Sequence, residues 1–169
     1  MQILIIRHAL AEDRETFARR DQDDDLRPLT KKGRTRMKRN AMGLTRLTNI
    51  DLVGHSPLVR AVQTAGIIAE AYPDARVMEV PELAPGRGPE TVAHWLGFVS
   101  RDATLAMVGH EPDLGELVAW FCTGVAAPFM HLKKGAAVML RCERPGGPGC
   151  AELEWAMTPR QLRLLANRT

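Results

Sequence analysis

The sequence predicts an α/β fold: one three-layer α/β/α domain over residues 1–169, with a mostly parallel central sheet, helices on both faces and an antiparallel edge. Three observations predict it. Apolar strand-like runs alternate with segments of helical period for most of the chain. The first run, Ile3–Ile6, is apolar without interruption, as in parallel strands buried on both faces. The chain has 169 residues, 45% hydrophobic and 25% charged, with no internal repeat and no linker, which is one domain's worth of ordinary globular composition.

Each element has its own justification. The opening strand stops at Arg7-His8. The polar segment from Ala11 to Arg27, with aspartates at 21, 23, 24 and 25, reads as a loop holding at most a helical turn. Thr30 is expected to cap a helix running to about Leu47. A second strand follows at Asp51–Gly54. Ser56-Pro57 is read as the next helix start, with serine as cap and proline in the first turn. Leu58, Val62, Ala65, Ala69 and Tyr72 then form an expected apolar face. Arg76–Val80 reads as a third strand and Pro81–Gly88 as a loop. Pro89 opens a helix with Val92, Trp95, Leu96 and Val99 on one face. Thr104–Val108 is the fourth strand, ending at Gly109-His110, and Glu111-Pro112 opens a helix carrying Leu114, Leu117, Val118 and Phe121. Strands at Ala136–Cys142 and Glu152–Ala156, joined by the turn-rich Arg144–Gly149, are expected to pair as an antiparallel edge hairpin. Thr158-Pro159 starts a short last helix.

Composition narrows the function. A net charge of +3 with a sequence pI near 9.0 permits an anionic substrate without demanding nucleic acid. One tyrosine and three tryptophans offer little for base stacking, so no nucleic-acid partner is expected. No apolar run is long enough to span a bilayer, and no basic region precedes an apolar stretch at the N-terminus, so neither a membrane partner nor a signal peptide is expected. Cys122, Cys142 and Cys150 form no Cys-x-x-Cys pair and suit a reducing cytoplasm. Seven of the sixteen residues from Lys31 to Arg46 are basic, a solvated helix face or a docking surface for an acidic partner. A monomer is favoured.

In parallel sheets ligands bind beyond the carboxyl ends of the strands. Here the first strand ends in Arg7-His8, the second in Gly54-His55-Ser56-Pro57 with Arg60 one turn on, and the fourth in Gly109-His110. If these ends share one rim, two arginines and two or three histidines converge into a positive cup suited to a phosphoryl group. Singly, each residue is more often structural; their conjunction at three strand ends carries the reading.

The stretches Leu4-Ile5-Ile6-Arg7-His8-Ala9, Ser56-Pro57-Leu58-Val59-Arg60-Ala61-Val62-Gln63-Thr64 and Gly109-His110-Glu111-Pro112 resemble the histidine phosphatase superfamily, which includes the cofactor-dependent phosphoglycerate mutases. Leu26-Arg27-Pro28-Leu29-Thr30-Lys31-Lys32-Gly33, Pro81-Glu82-Leu83 and Trp155-Ala156-Met157-Thr158-Pro159 narrow the resemblance to the SixA-type phosphohistidine phosphatases. It implies a phosphoglycerate mutase-like fold and a phosphatase of signal transduction. Its substrate would be phosphohistidine on a signalling protein, such as a phosphotransfer domain. His8 would be the nucleophile, passing through a covalent phosphohistidine. Arg7, Arg60 and His110 would hold the phosphoryl oxygens, with Arg27 as an additional phosphate contact. No cofactor and no metal is implied. For attack His8 must be neutral; Arg7, Arg60 and His110 are expected to lower its pKa.

Ala9 stands where glycine is usual, and His55 where a small residue is common before Ser-Pro. His55 either packs beside the cup or tunes it, with packing favoured. Glu82 is the nearest candidate for a general acid, with a local loop role as the competing reading. A weak or missing acid favours P–N over P–O substrates, because an imidazole leaving group (conjugate acid pKa about 6.5) needs less protonation than an alkoxide. The short connections leave little sequence for a capping segment, which argues against a mutase. Other readings are a small-molecule phosphomonoesterase on the same fold and a non-catalytic phosphate-binding module. A metallohydrolase built on His8, His55 and His110 lacks ligand spacing, and its arginines would repel a cation.

Overall fold

The computed structural model describes residues 1–143 and 147–167. In chain order the elements are β1 (Gln2–Arg7), α1 (Arg14–Ala18), a 3-10 turn (Asp24–Leu26), α2 (Lys31–Leu44), β2 (Leu52–His55), α3 (Val59–Ala71), β3 (Arg76–Glu79), a 3-10 turn (Pro81–Leu83), α4 (Pro89–Leu96), β4 (Thr104–Gly109), α5 (Asp113–Thr123), β5 (Ala137–Cys142), β6 (Ala151–Met157) and α6 (Pro159–Leu165). Of the turn-rich segment read at Arg144–Gly149, residues Arg144, Pro145 and Gly146 lie outside the described residues.

The six strands form one sheet in the order β3-β2-β4-β1-β5-β6. The first four are mutually parallel; β5 runs antiparallel to β1 and pairs antiparallel with β6, forming the expected edge hairpin. The strand pleat divides the interior. Ile3 and Ile5 of β1 pack with Leu96, Leu105, Met107 and Phe121 on the α4–α5 side. Leu4 and Ile6 pack with Met37, Leu44, Val53 and Ile68 on the side of α2, α3 and α6. Burying each such aliphatic side chain is worth about 1.5–3 kcal/mol, so the uninterrupted run of β1 is a wall shared by two cores.

Caps set several boundaries. Thr30 Oγ1 accepts from Gly33 N at 2.9 Å, as read from sequence. Thr158 and Gln161 form a reciprocal capping box at α6. Helix α2 ends three residues before the expected Leu47; the Thr45 hydroxyl donates to Met42 O at 2.8 Å, a local bond that competes with helix continuation. The largest correction concerns α3. It begins at Val59 rather than Pro57, with Leu58 rather than Ser56 at its cap and no side-chain cap bond. Its buried face is Ala61, Thr64, Ala65, Ile68 and Tyr72, while Val62 is exposed. The face is rotated because Arg60, which lines the cup at the strand ends, and Thr64, which accepts from Ala9 N just after β1, are polar but buried. The cysteines are also less scattered than their positions suggest: Cys142 Sγ lies 3.1 Å from Cys150 Sγ across the β5–β6 hairpin.

Candidate active site

Because β2, β4 and β1 are adjacent and parallel, their carboxyl ends share one rim. Arg7 pairs with Gly109, and His55 with Val108, which also pairs with Ile6. Beyond that rim lies an open cup of about 640 Å³ lined by Arg7, His8, Arg27, Arg60 and His110 among others. Five of the six singled-out site residues therefore meet in one place. Glu82 does not line the cup; it borders a recess of about 20 Å³ beside His110 and Asp113. His55 is buried behind the rim, its Nδ1 2.9 Å from the carbonyl of Ser56.

Main-chain carbonyls hold the cup's side chains. His8 is 5% exposed, and its Nδ1 donates to Ala9 O at 2.7 Å, which leaves Nε2 with the lone pair. Arg7 Nη1 donates to Leu132 O at 2.6 Å. Arg60 Nη1 donates to Asp24 O at 2.8 Å, and Arg27 Nη1 to Glu12 O at 2.8 Å. The segment after β1 is fastened by Ala9 N to Thr64 Oγ1 (3.1 Å) and by Thr30 N to Leu10 O (3.0 Å). The His8 and His110 rings lie 5.2 Å apart, centroid to centroid.

Electrostatics follow from burial among cations. The His8 pKa is lowered to about 3, chiefly by burial, and further by His110, Arg60 and Arg7; the bond to Ala9 O opposes this. His110 is also lowered to about 3, by burial first and then by Arg60 and Arg27. The sequence reading had the direction but credited the neighbouring charges, whereas desolvation leads. Burial likewise lowers Arg7 and Arg60, with Glu111 and Asp24 respectively pulling the other way.

Two residues missed in the sequence are central here. Asp24 binds Arg27 Nε (2.7 Å), Arg14 Nη2 (3.0 Å) and Arg60 Nη2 (3.2 Å), so one carboxylate braces three arginines. Hydrogen bonds from Arg14 and Arg27 hold it well below the ordinary carboxylate range. Its only sequence signal is the i,i+3 spacing to Arg27, masked by three neighbouring aspartates. Ser56, read as a helix cap, instead places its Oγ 2.8 Å from His110 Nε2 and is fully buried.

Among the described residues, three buried side-chain nitrogens have no hydrogen-bond partner: Arg7 Nε, Arg60 Nε and His110 Nδ1. All three belong to residues that line the cup. By contrast, the carboxylates lining it are already engaged by donors. Glu12 binds Arg20, Asp13 accepts from Thr16 N, Glu111 accepts from Leu132 N, and Asp113 accepts from Gly86 N.

The family model for the histidine phosphatase superfamily (branch 1) matches residues 3–84. An uncharacterized protein of Picosynechococcus sp. is 35% identical, over 99% of this chain and 96% of its own length. Phosphohistidine phosphatase SixA of Escherichia coli is 29% identical over 97% of this chain and 98% of its own. A solved structure of protein histidine phosphatase SixA complexed with tungstate superposes with a TM-score of 0.80 at 26% identity, covering 96% of this chain and 99% of that one. The chain belongs to the histidine phosphatase superfamily, as a phosphatase.

Proposed function

We propose that this phosphatase removes the phosphoryl group from phosphohistidine on a signalling protein, with His8 as nucleophile. The observation that carries the reading is the set of three unpartnered buried nitrogens around a neutral His8. Buried polar groups are normally hydrogen-bonded, and donors left over in one cup point to an anion that completes them. Arg7 and Arg60 offer Nε–H groups to phosphoryl oxygens. If the Ser56 hydroxyl donates to His110 Nε2, then His110 Nδ1 carries a proton and is a third donor. Arg27, anchored through Nε and Nη1, extends the positive rim.

In the reaction the His8 Nε2 lone pair attacks phosphorus. A P–N bond forms to His8 as the substrate P–N bond breaks; with the substrate ring protonated at its other nitrogen, the electron pair leaves on a neutral imidazole. Water then attacks the phosphorus, the bond to His8 breaks, and inorganic phosphate is released. The substrate preference follows from the leaving group. With Glu82 outside the cup, an alkoxide finds less help; an imidazole needs less. The similarity to SixA supports the same substrate class. An open cup with no capping segment among the described residues suits a phosphohistidine presented on a protein surface. A cytoplasmic setting fits such a role.

The test is phosphate release from a histidine-phosphorylated phosphotransfer domain and from p-nitrophenyl phosphate, with wild type and His8→Ala side by side. Release from the domain that drops by about three orders of magnitude or more in H8A is the expected result. Hydrolysis of the ester alone would move the substrate to small phosphomonoesters.

A further inference from the structure

Beside the cup lies a groove of about 370 Å³ whose walls carry five cations: Arg36 on α2, Lys133 and Lys134 ahead of β5, and Arg160 and Arg163 on α6. No aspartate or glutamate lines it. Among the described residues none of the five pairs with a carboxylate, whereas Arg14, Arg20, Arg27, Lys38, Arg60 and Arg141 all do. Three separate chain segments therefore deliver like charges to one channel without internal neutralisation. Their mutual repulsion is a cost that a bound anion relieves. Burial, then Arg36 and Arg39, lowers Arg163; burial, then the cup's Arg7, Arg27 and Arg60, lowers Lys134, with Asp13 opposing.

The groove is continuous with the cup. Leu10 and Lys134 line both. Its floor is tied to the end of β1: Gly135 N donates to the carbonyls of Arg7 (3.0 Å) and His8 (3.1 Å). Asn40 Nδ2 in turn donates to Gly135 O (3.0 Å), and Arg163 Nη1 to Asn40 Oδ1 (3.1 Å). A polypeptide holding a phosphohistidine over His8 would lay its neighbouring residues in this channel.

We propose that the groove receives an acidic segment flanking the phosphohistidine of the protein substrate, and so selects substrates by the charge of that flank. The proposal rests on the phosphohistidine reading of the cup. The groove also differs from the basic run Lys31–Arg46, for which a docking surface is the alternative to a solvated helix face. Of that run's seven cations only Arg36 lines the groove; Lys38 is paired with Glu70, and the other groove cations come from distant sequence.

Three probes test it: phosphoramidate, a peptide with phosphohistidine flanked on both sides by glutamates, and the same peptide with glutamines. They are assayed on wild type and on the double variant Arg36→Glu, Arg160→Glu, two exposed positions outside the cup. A few partly exposed ion pairs support about a tenfold lower KM for the glutamate peptide, about 1.4 kcal/mol. That gap is expected to close in the variant and on raising salt from about 0.02 M to about 0.5 M, with phosphoramidate kinetics equal in both proteins. Equal KM values for the two peptides in wild type, or a gap that survives in the variant, overturn the proposal. If no P–N probe is hydrolysed while p-nitrophenyl phosphate is, the reading of the cup fails by itself. The groove is then judged by titrating the unphosphorylated glutamate peptide: weaker binding to the variant sustains it, and unchanged binding overturns it.

Discussion

His8 and His110 are both neutral at physiological pH because the fold withholds water from them, and this sets two pH responses. Their folded pKa values, about 3, lie below the ordinary 6.5. The unfolded chain therefore takes up protons between pH 6.5 and 3 that the folded chain refuses. Their contribution to stability is complete above pH 6.5 and is lost progressively as pH falls toward 3. Thermal melts from pH 7 to pH 4 should show Tm falling, and His8→Asn with His110→Asn should flatten that fall. In activity, the acid limb of kcat/KM should lie well below pH 6.5; a limb centred near 6.5 would show that His8 titrates as an ordinary imidazole. Ser56→Ala removes the partner that fixes the His110 tautomer, and kcat on a phosphohistidine substrate should fall by about tenfold with the fold intact by circular dichroism. At this scale the sequence displayed Arg7, His8, Arg27, Arg60 and His110, because each sits at a strand end or in a recognisable motif. Asp24 and Ser56 were opaque. Their roles depend on partners 36 and 54 residues away, and nothing local distinguishes Asp24 from Asp23 or Asp25.

Helices α2 and α6 meet where a glycine lets backbone approach backbone. A Cβ built at Gly43 would stand 2.0 Å from Leu162 O, so Gly43→Ala must separate the two helices. A loss of about 2–3 kcal/mol is expected by urea denaturation, and α6 should become the first element to lose amide protection. Removing the cap of α6 by Thr158→Ala should cost about 1 kcal/mol. Element types and order were readable from periodicity, and the caps at Thr30 and Thr158 from residue type. The start of α3 was not. Ser-Pro looks like a helix opening, but the Ser56 hydroxyl is bound to His110 across the rim, and the helix waits until Val59. The rotated face of α3 has the same origin: apolar periodicity cannot anticipate that Arg60 and Thr64 are buried for reasons of the site.

Across the whole molecule, protection should follow position in the sheet. Strand β1 is paired on both sides and covered on both faces, whereas β3 is an edge with every residue exposed. Native-state hydrogen exchange should find Ile3–Ile6 among the slowest amides and Arg76–Glu79 among the fastest strand amides; the reverse order would contradict the sheet described above. The alternation of strands and helices made the layered architecture legible, and the strand-end rule made the rim legible. Hidden from the sequence was the gathering of distant cations into one groove, since Arg36, Lys134 and Arg160 become neighbours only through the packing of α6 on α2.

The anchors of Arg7, His8 and Arg27 include the carbonyl oxygens of Leu132, Ala9 and Glu12. A carbonyl belongs to every amino acid, so these positions can change identity while still offering the same acceptor. The cup is in that respect written in the chain's path more than in its letters. Random drift can therefore rework much of the surrounding text, and a library randomised at Ala9, Glu12 and Leu132 should retain active clones wherever the new side chain fits.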